Sequence, residues 1–164
     1  MRKLCHKLEI VSARRRQYLL FSLLDFRFFK NSETGNVLFF GAPRRLAPLA
    51  VFSYILVNEV LLFRSARFFA KLDDEVAGIF AVHERRDALY VKSLAVSPWW
   101  RRLGVATFML DFACRLARRL NKTWVELGVL KANTDAQKLY ARYGFRVKAQ
   151  DKWSFTLRKS VAPR

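Results

Sequence analysis

The sequence predicts an α/β fold built on a mixed, mostly antiparallel sheet. From Arg67 onward, short apolar strands alternate with turn residues. Between Leu89 and Asn121 a buried strand runs through Pro98 and a basic turn containing Gly104 into a helix of about four turns. After Lys122 come another strand, a short helix and one or two final strands.

The size fits one domain spanning residues 1–164, large enough to bury a real core. A hydrophobic fraction of 52% excludes a disordered chain, and fifteen Phe point to a dense interior. The net charge of +18 is dispersed in pairs and triplets such as Arg14-Arg15-Arg16, Arg44-Arg45 and Arg85-Arg86. That pattern describes a solvated basic surface before it describes nucleic-acid or membrane attraction. Cys5 and Cys114 lack metal-ligand spacing to each other or to His6 and His83, so no metal site is expected. Free thiols suit a reducing cytoplasm, and the basic start lacks the apolar run of a secretion signal.

In chain order, Leu8 to Val11 forms a first strand and Arg14 to Phe29 a helix whose basic start opposes the dipole. Residues 30–36 have turn composition, Val37 to Phe40 is ambiguous between strand and helix, and a second helix runs from after Pro43 to about Phe63. Leu46 to Phe63 is as apolar as a short membrane span, but Pro48, Asn58 and Glu59 argue for a helix buried against a sheet, with an interfacial or dimer-forming helix as the alternative. A homodimer is therefore among the partners considered.

Strands follow at Phe68 to Leu72, Val76 to His83 and Ala88 to Val96, with tight turns at Asp73-Asp74-Glu75 and Arg85-Arg86-Asp87. The next helix shows one apolar face at Ala106, Met109, Leu110, Ala113, Leu116, Ala117 and Leu120, with Cys114 on its polar-to-apolar edge. Its start is an anion site, because the first N–H groups of a helix lack partners and carry the positive end of the dipole. Trp124 to Leu130 is a strand. Asn133 caps a helix whose inner face is Ala136, Leu139, Tyr140 and Tyr143, and Gly144 ends it. In the tail, Trp153, Phe155 and Leu157 are expected to alternate inward.

Two motifs carry chemistry. Arg101-Arg102-Leu103-Gly104-Val105-Ala106 is an R-x-x-G-x-A turn after the strand Leu94-Ala95-Val96. Twenty-nine residues after Gly104 begins N-x-x-A-x-x-L-Y-x-x-x-G-F, from Asn133 to Phe145. In their order and spacing these resemble the GNAT superfamily of acetyl-CoA-dependent N-acetyltransferases, from about Arg67 to Arg158, with residues 1–66 a divergent, helical N-terminal part.

The resemblance implies a GNAT-like sheet with about four helices, in which the strand ending at Val96 and the strand Trp124 to Leu130 splay to hold acetyl-CoA. Main-chain groups at Leu94, Ala95 and Val96 would meet the thioester and pantetheine. Backbone N–H groups from Arg102 to Ala106 would hold the pyrophosphate, with charge from Arg101 and Arg102, and Ala106 replaces the glycine more common there. Tyr140 matches the general acid that protonates the departing CoA thiolate, and Asn133 a contact to the CoA arm. The base is less defined. Tyr90 and Lys92 stand where relatives carry an acid and Gly128 where some carry Glu, leaving Glu126, two residues earlier on the same strand face, to act through water, with His83 and Glu84 as lesser candidates. Without a strong base, a peptide α-amine or weakly basic small amine is an easier acceptor than a lysine, whose amine holds its proton more tightly. Two alternatives come from other classes: a non-catalytic acyl-CoA-binding module, and a basic nucleic-acid or ribosome-associated protein in which Trp99-Trp100 stacks on bases.

Overall fold

The computed structural model describes residues 7–30 and 64–161, with side chains from 7 to 25 and from 64 to 161. Among these residues seven strands form one sheet in the order β1-β2-β3-β4-β5-β7-β6: β1 Leu8–Ser12, β2 Ala66–Leu72, β3 Glu75–Glu84, β4 Ala88–Val96, β5 Trp124–Leu130, β6 Arg146–Gln150 and β7 Ser154–Ser160. Among the described residues only β4 and β5 pair in parallel. Among the described residues three α-helices accompany the sheet: α1 Tyr18–Lys30, α2 Val105–Arg119 and α3 Thr134–Tyr143. The expectation of about four helices therefore exceeds the described count by one. The second helix expected before Phe63, and the apolar stretch 46–63, lie outside the described residues. No helix among those described is long and apolar enough to cross a membrane.

Local chemistry explains most boundaries. The β2–β3 hairpin closes on Asp73 and Asp74, both at positive φ, the pair of left-handed residues that a two-residue hairpin turn requires. The expected start of α1 at Arg14 does not hold: Arg14 is extended, Arg15–Gln17 forms a separate short 3-10 turn, and the helix begins at Tyr18. Asn133 caps α3 as its sequence implies, its side-chain oxygen accepting from Ala136 N at 3.1 Å, and Gly144 ends the helix at φ +97°.

One face of the sheet carries α2 and α3. Its core joins Phe80, Leu89, Val91, Val125, Leu127 and Leu157 to Met109, Leu110, Ala113 and Tyr140. Cys114 belongs to this core rather than to the helix edge: four residues after Leu110 and three before Ala117, it falls within the apolar stripe. Trp153 contradicts the expected inward alternation. It is 69% exposed because it precedes β7 in the turn where Asp151 accepts from the N–H groups of Trp153 and Ser154. Phe80 is fully buried, stacked on Phe68 at 5.0 Å and edge-on to Phe112 at 5.7 Å. Phe80→Ala is expected to cost about 3–5 kcal/mol in a urea unfolding titration, since the large cavity would sit between packed rings; a loss under about 1 kcal/mol would show that this layer collapses freely.

The opposite face receives α1. Phe21 packs with Phe69, Ile79 and Ala81 there, and Asp25 reaches Ser93.

Candidate active site

The geometry begins with an interruption in β4. Val82 pairs with Val91 and Ala81 with Ser93, so Lys92 is an extra residue that shifts the register. The consequence is a change of face. Leu89 and Val91 point to α2, whereas beyond the bulge Leu94 and Val96 do so and Ala95 packs toward α1.

At the same level β4 and β5 part. Their ladder runs from Ala88↔Trp124 to Val91↔Leu127 and stops, although both strands continue. The edge of β4 from Lys92 to Val96 therefore has no β5 partner. Ser97 N–H donates to Ala77 O on β3 at 2.9 Å. Because successive N–H groups leave a strand on opposite edges, Leu94 and Val96 direct theirs, and their carbonyls, into the gap. Consistent with this, Val96 O accepts from Arg101 Nε at 3.4 Å.

The gap leads to the start of α2. Arg102 and Gly104 both have positive φ, 65° and 82°, which curls the exposed turn back on itself. Gly104 is exposed, with nothing among the described residues within 4 Å of where a Cβ would lie. No side chain among the described residues caps this helix. Among the described residues no carbonyl takes the N–H groups from Arg102 to Ala106. These donors, the positive helix end and the two guanidinium groups suit a pyrophosphate.

Tyr140 lies on α3, in the core shared with α2. It is 6% exposed, packs edge-on against Phe145 at 5.8 Å, and its hydroxyl makes no hydrogen bond among the described residues. Burial pushes its pKa up to about 12, which keeps the phenol protonated. Tyr143 differs: its hydroxyl donates to Asp111, and desolvation with that bond pushes its pKa up strongly. Burial likewise raises the Cys114 thiol.

On the α1 side of the sheet, Glu126 is 2% exposed and engaged at both oxygens, by Lys148 Nζ at 2.5 Å and an Arg85 guanidinium nitrogen at 3.1 Å. Arg85 also lies 3.9 Å over the Tyr90 ring. Gly128 is exposed, and a Cβ there would come within 3.0 Å of the Tyr90 hydroxyl, so the glycine leaves room for that group. His83 lies opposite Tyr90 in the ladder, with its buried Nδ1 unbonded among the described residues, and Glu84 pairs with Lys122 at 3.4 Å.

Sequence inspection missed Asp25. Its buried carboxylate accepts from Ser93 Oγ at 2.7 Å, one residue past the bulge. Its signal was an acid inside the apolar run of α1. Also missed was Gln137, which donates to Leu130 O and Lys131 O and so ties α3 to the end of β5. Trp99 is 84% exposed among the described residues, whereas Trp100 packs against the core. No cluster of His, Cys, Asp or Glu among the described residues could hold a metal ion.

A parallel pair that splays beside an uncapped glycine turn is the frame of an acyl-CoA transferase, and comparison places the chain. A sequence model described as the acetyltransferase (GNAT) family matches residues 39–145, and the chain belongs to that family. Comparison with curated protein sequences returned no match. Among solved structures, PaiA N-acetyltransferase from Thermoplasma acidophilum in complex with coenzyme A is similar at a TM-score of 0.74 and 15% identity, over 94% of this chain and 99% of that one. Ard1 from Thermoplasma volcanium is similar at 0.68 and 20%, over 95% and 99%. A GNAT acetyltransferase from Elizabethkingia anophelis with acetyl-CoA bound is similar at 0.63 and 16%, over 93% and 97%. At these identities the likeness concerns the fold.

Proposed function

We propose that this chain is a cytoplasmic, single-domain N-acetyltransferase that moves an acetyl group from acetyl-CoA to a primary amine, with peptide α-amines and weakly basic small amines as preferred acceptors. The carrying observation is the gap in the sheet: β4 and β5 separate after Val91↔Leu127, and the gap leads to the free N–H groups from Arg102 to Ala106. Those N–H groups, with Arg101 and Arg102, hold the pyrophosphate. Main-chain groups of Leu94, Ala95 and Val96 line the thioester arm, with Asn133 beside it. Strand N–H donors meet the oxyanion charge that develops as the amine attacks.

Tyr140 gives its proton to the departing sulfur. A pKa of about 12 lies well above that of a free thiol. The same burial raises a thiol leaving in that gap, which narrows the difference. On the acceptor side, Glu126 takes the amine proton through water, with Arg85 and Lys148 as its counter-ions. Glu126→Gln is expected to lower kcat/KM for the acceptor about tenfold with the KM for acetyl-CoA unchanged. A loss confined to Asp25→Asn would move the base to α1.

The test of the whole is CoA thiol release from acetyl-CoA across a panel of peptides and amines. α-Amino peptides should be turned over faster than spermidine, which the basic surface repels and whose amines hold their protons more tightly. Equal or faster spermidine turnover would contradict the acceptor assignment. Acetyl-CoA binding with no thiol release from any amine would favour a non-catalytic binding module.

A further inference from the structure

We propose that the acceptor carries, besides its amine, an anionic group of carboxylate or phosphate chemistry that docks on Arg158 and Arg146. The inference rests on the acetyltransfer assignment above and names the class of its second substrate.

The register across the sheet places five side chains in one row. His83 lies opposite Tyr90, Tyr90 opposite Glu126, Glu126 opposite Arg158 and Arg158 opposite Arg146. All five share the face opposite α2, because their neighbours Val82, Leu89, Val91, Val125, Leu127 and Leu157 are in the core under α2 and α3. With Arg85 and Lys148 reaching into it, the stretch of the row from Tyr90 to Arg146 sets four cations against Glu126, whose two oxygens face Lys148 and Arg85.

Arg158 and Arg146 are the unspent charges. They stand directly opposite each other on adjacent strands, where like charges repel. Among the described residues neither has a carboxylate within ion-pair distance. Arg158 is half-buried, its guanidinium carbon 4.3 Å from the Trp124 ring centroid, a contact that restrains its donors in advance. Arg146 is exposed and donates to Phe145 O at 3.2 Å.

The middle of this row, at Glu126, lies two residues along β5 from Gly128, where the amine is taken to arrive. The opposite face is filled by α2 and α3, whereas Gly128, just past the last β4–β5 pair, is exposed beneath the Tyr90 hydroxyl. Gly128 lies opposite Thr156, two residues along β7 from Arg158. Strand spacing and rise put Gly128 and Arg158 roughly 8 Å apart. A molecule with its amine at Gly128 and an acid group about that far away spans the two.

Matched peptide amides test this, because all present the same glycine α-amine: Gly-Gln-NH2, Gly-Glu-NH2, Gly-phosphoserine-NH2 and Gly-Lys-NH2, assayed by CoA thiol release. The acidic peptides should show acceptor KM values about 10-fold below Gly-Gln-NH2, Gly-Lys-NH2 should be worst, and the gap should shrink in about 0.5 M salt. Which acidic peptide wins tells carboxylate from phosphate. Arg146→Gln with Arg158→Gln should abolish the preference while leaving KM for Gly-Gln-NH2 and acetyl-CoA unchanged, and Arg158→Lys should restore part of it. The exposed Arg146→Gln alone should halve the preference or more without touching the Trp124 stack. Equal KM values for acidic and neutral peptides, or a preference that survives the double change, would overturn this inference and leave acetyl transfer standing. No turnover of any peptide despite bound acetyl-CoA would overturn acetyl transfer itself.

Discussion

Tyr140→Phe is expected to lower kcat by about 10²- to 10³-fold, within the range for removal of a general acid, with acetyl-CoA affinity unchanged. The substitution is unusually clean. The hydroxyl makes no hydrogen bond among the described residues and the ring packs on Phe145, so phenylalanine removes a proton donor and little else. Stability should shift by less than about 1 kcal/mol in urea unfolding. The pKa of about 12 adds a pH signature: Tyr140 stays protonated through neutral and mildly alkaline pH, so the wild-type rate should not fall through its ionisation until the pH nears that value. The sign for stability follows. The folded pKa exceeds the unfolded value near 10, so the associated stability is intact below about pH 10 and is lost as pH rises through about 12. A Tyr140→Phe rate within twofold of wild type would remove the phenol from the mechanism.

Gly104→Asp should raise the KM for acetyl-CoA about 30-fold or more, while Gly104→Asn changes it only a few-fold. The pair separates backbone from charge. Gly104 sits at φ +82° with open space around it, and asparagine and aspartate both tolerate that conformation better than other side chains. They are nearly the same size. What differs is a negative charge set beside donors that would receive another, a repulsion of about 2 kcal/mol at a partly screened distance. Similar KM values for the two variants, measured by thiol release at saturating amine, would place the pyrophosphate elsewhere.

How much of this was legible in the sequence depended on how local each feature is. The strands from Ala66 to Val96, the cap at Asn133 and the left-handed Gly144 follow from periodicity and turn chemistry within a few residues. The acyl-CoA frame was legible because its motifs keep fixed spacing. The Lys92 bulge was not, since an extra residue inside a ladder shows only when the partner strand is known, and it reverses which face Leu94 and Val96 occupy. The ties of Glu126 to Arg85 and Lys148 cross 41 and 22 residues of sequence, and that of Asp25 to Ser93 crosses 68. Such pairs are fixed by sheet order, not by neighbours in the chain. Trp153 misled for the opposite reason: strand alternation was extended one residue into a turn.

The most direct measurement is a crystal structure of the protein with coenzyme A. The pyrophosphate should lie on the N–H groups of Arg102 to Ala106, the pantetheine arm between β4 and β5, and the sulfur within hydrogen-bonding reach of the Tyr140 hydroxyl. Coenzyme A bound outside that gap, or its sulfur turned away from Tyr140, would contradict this arrangement.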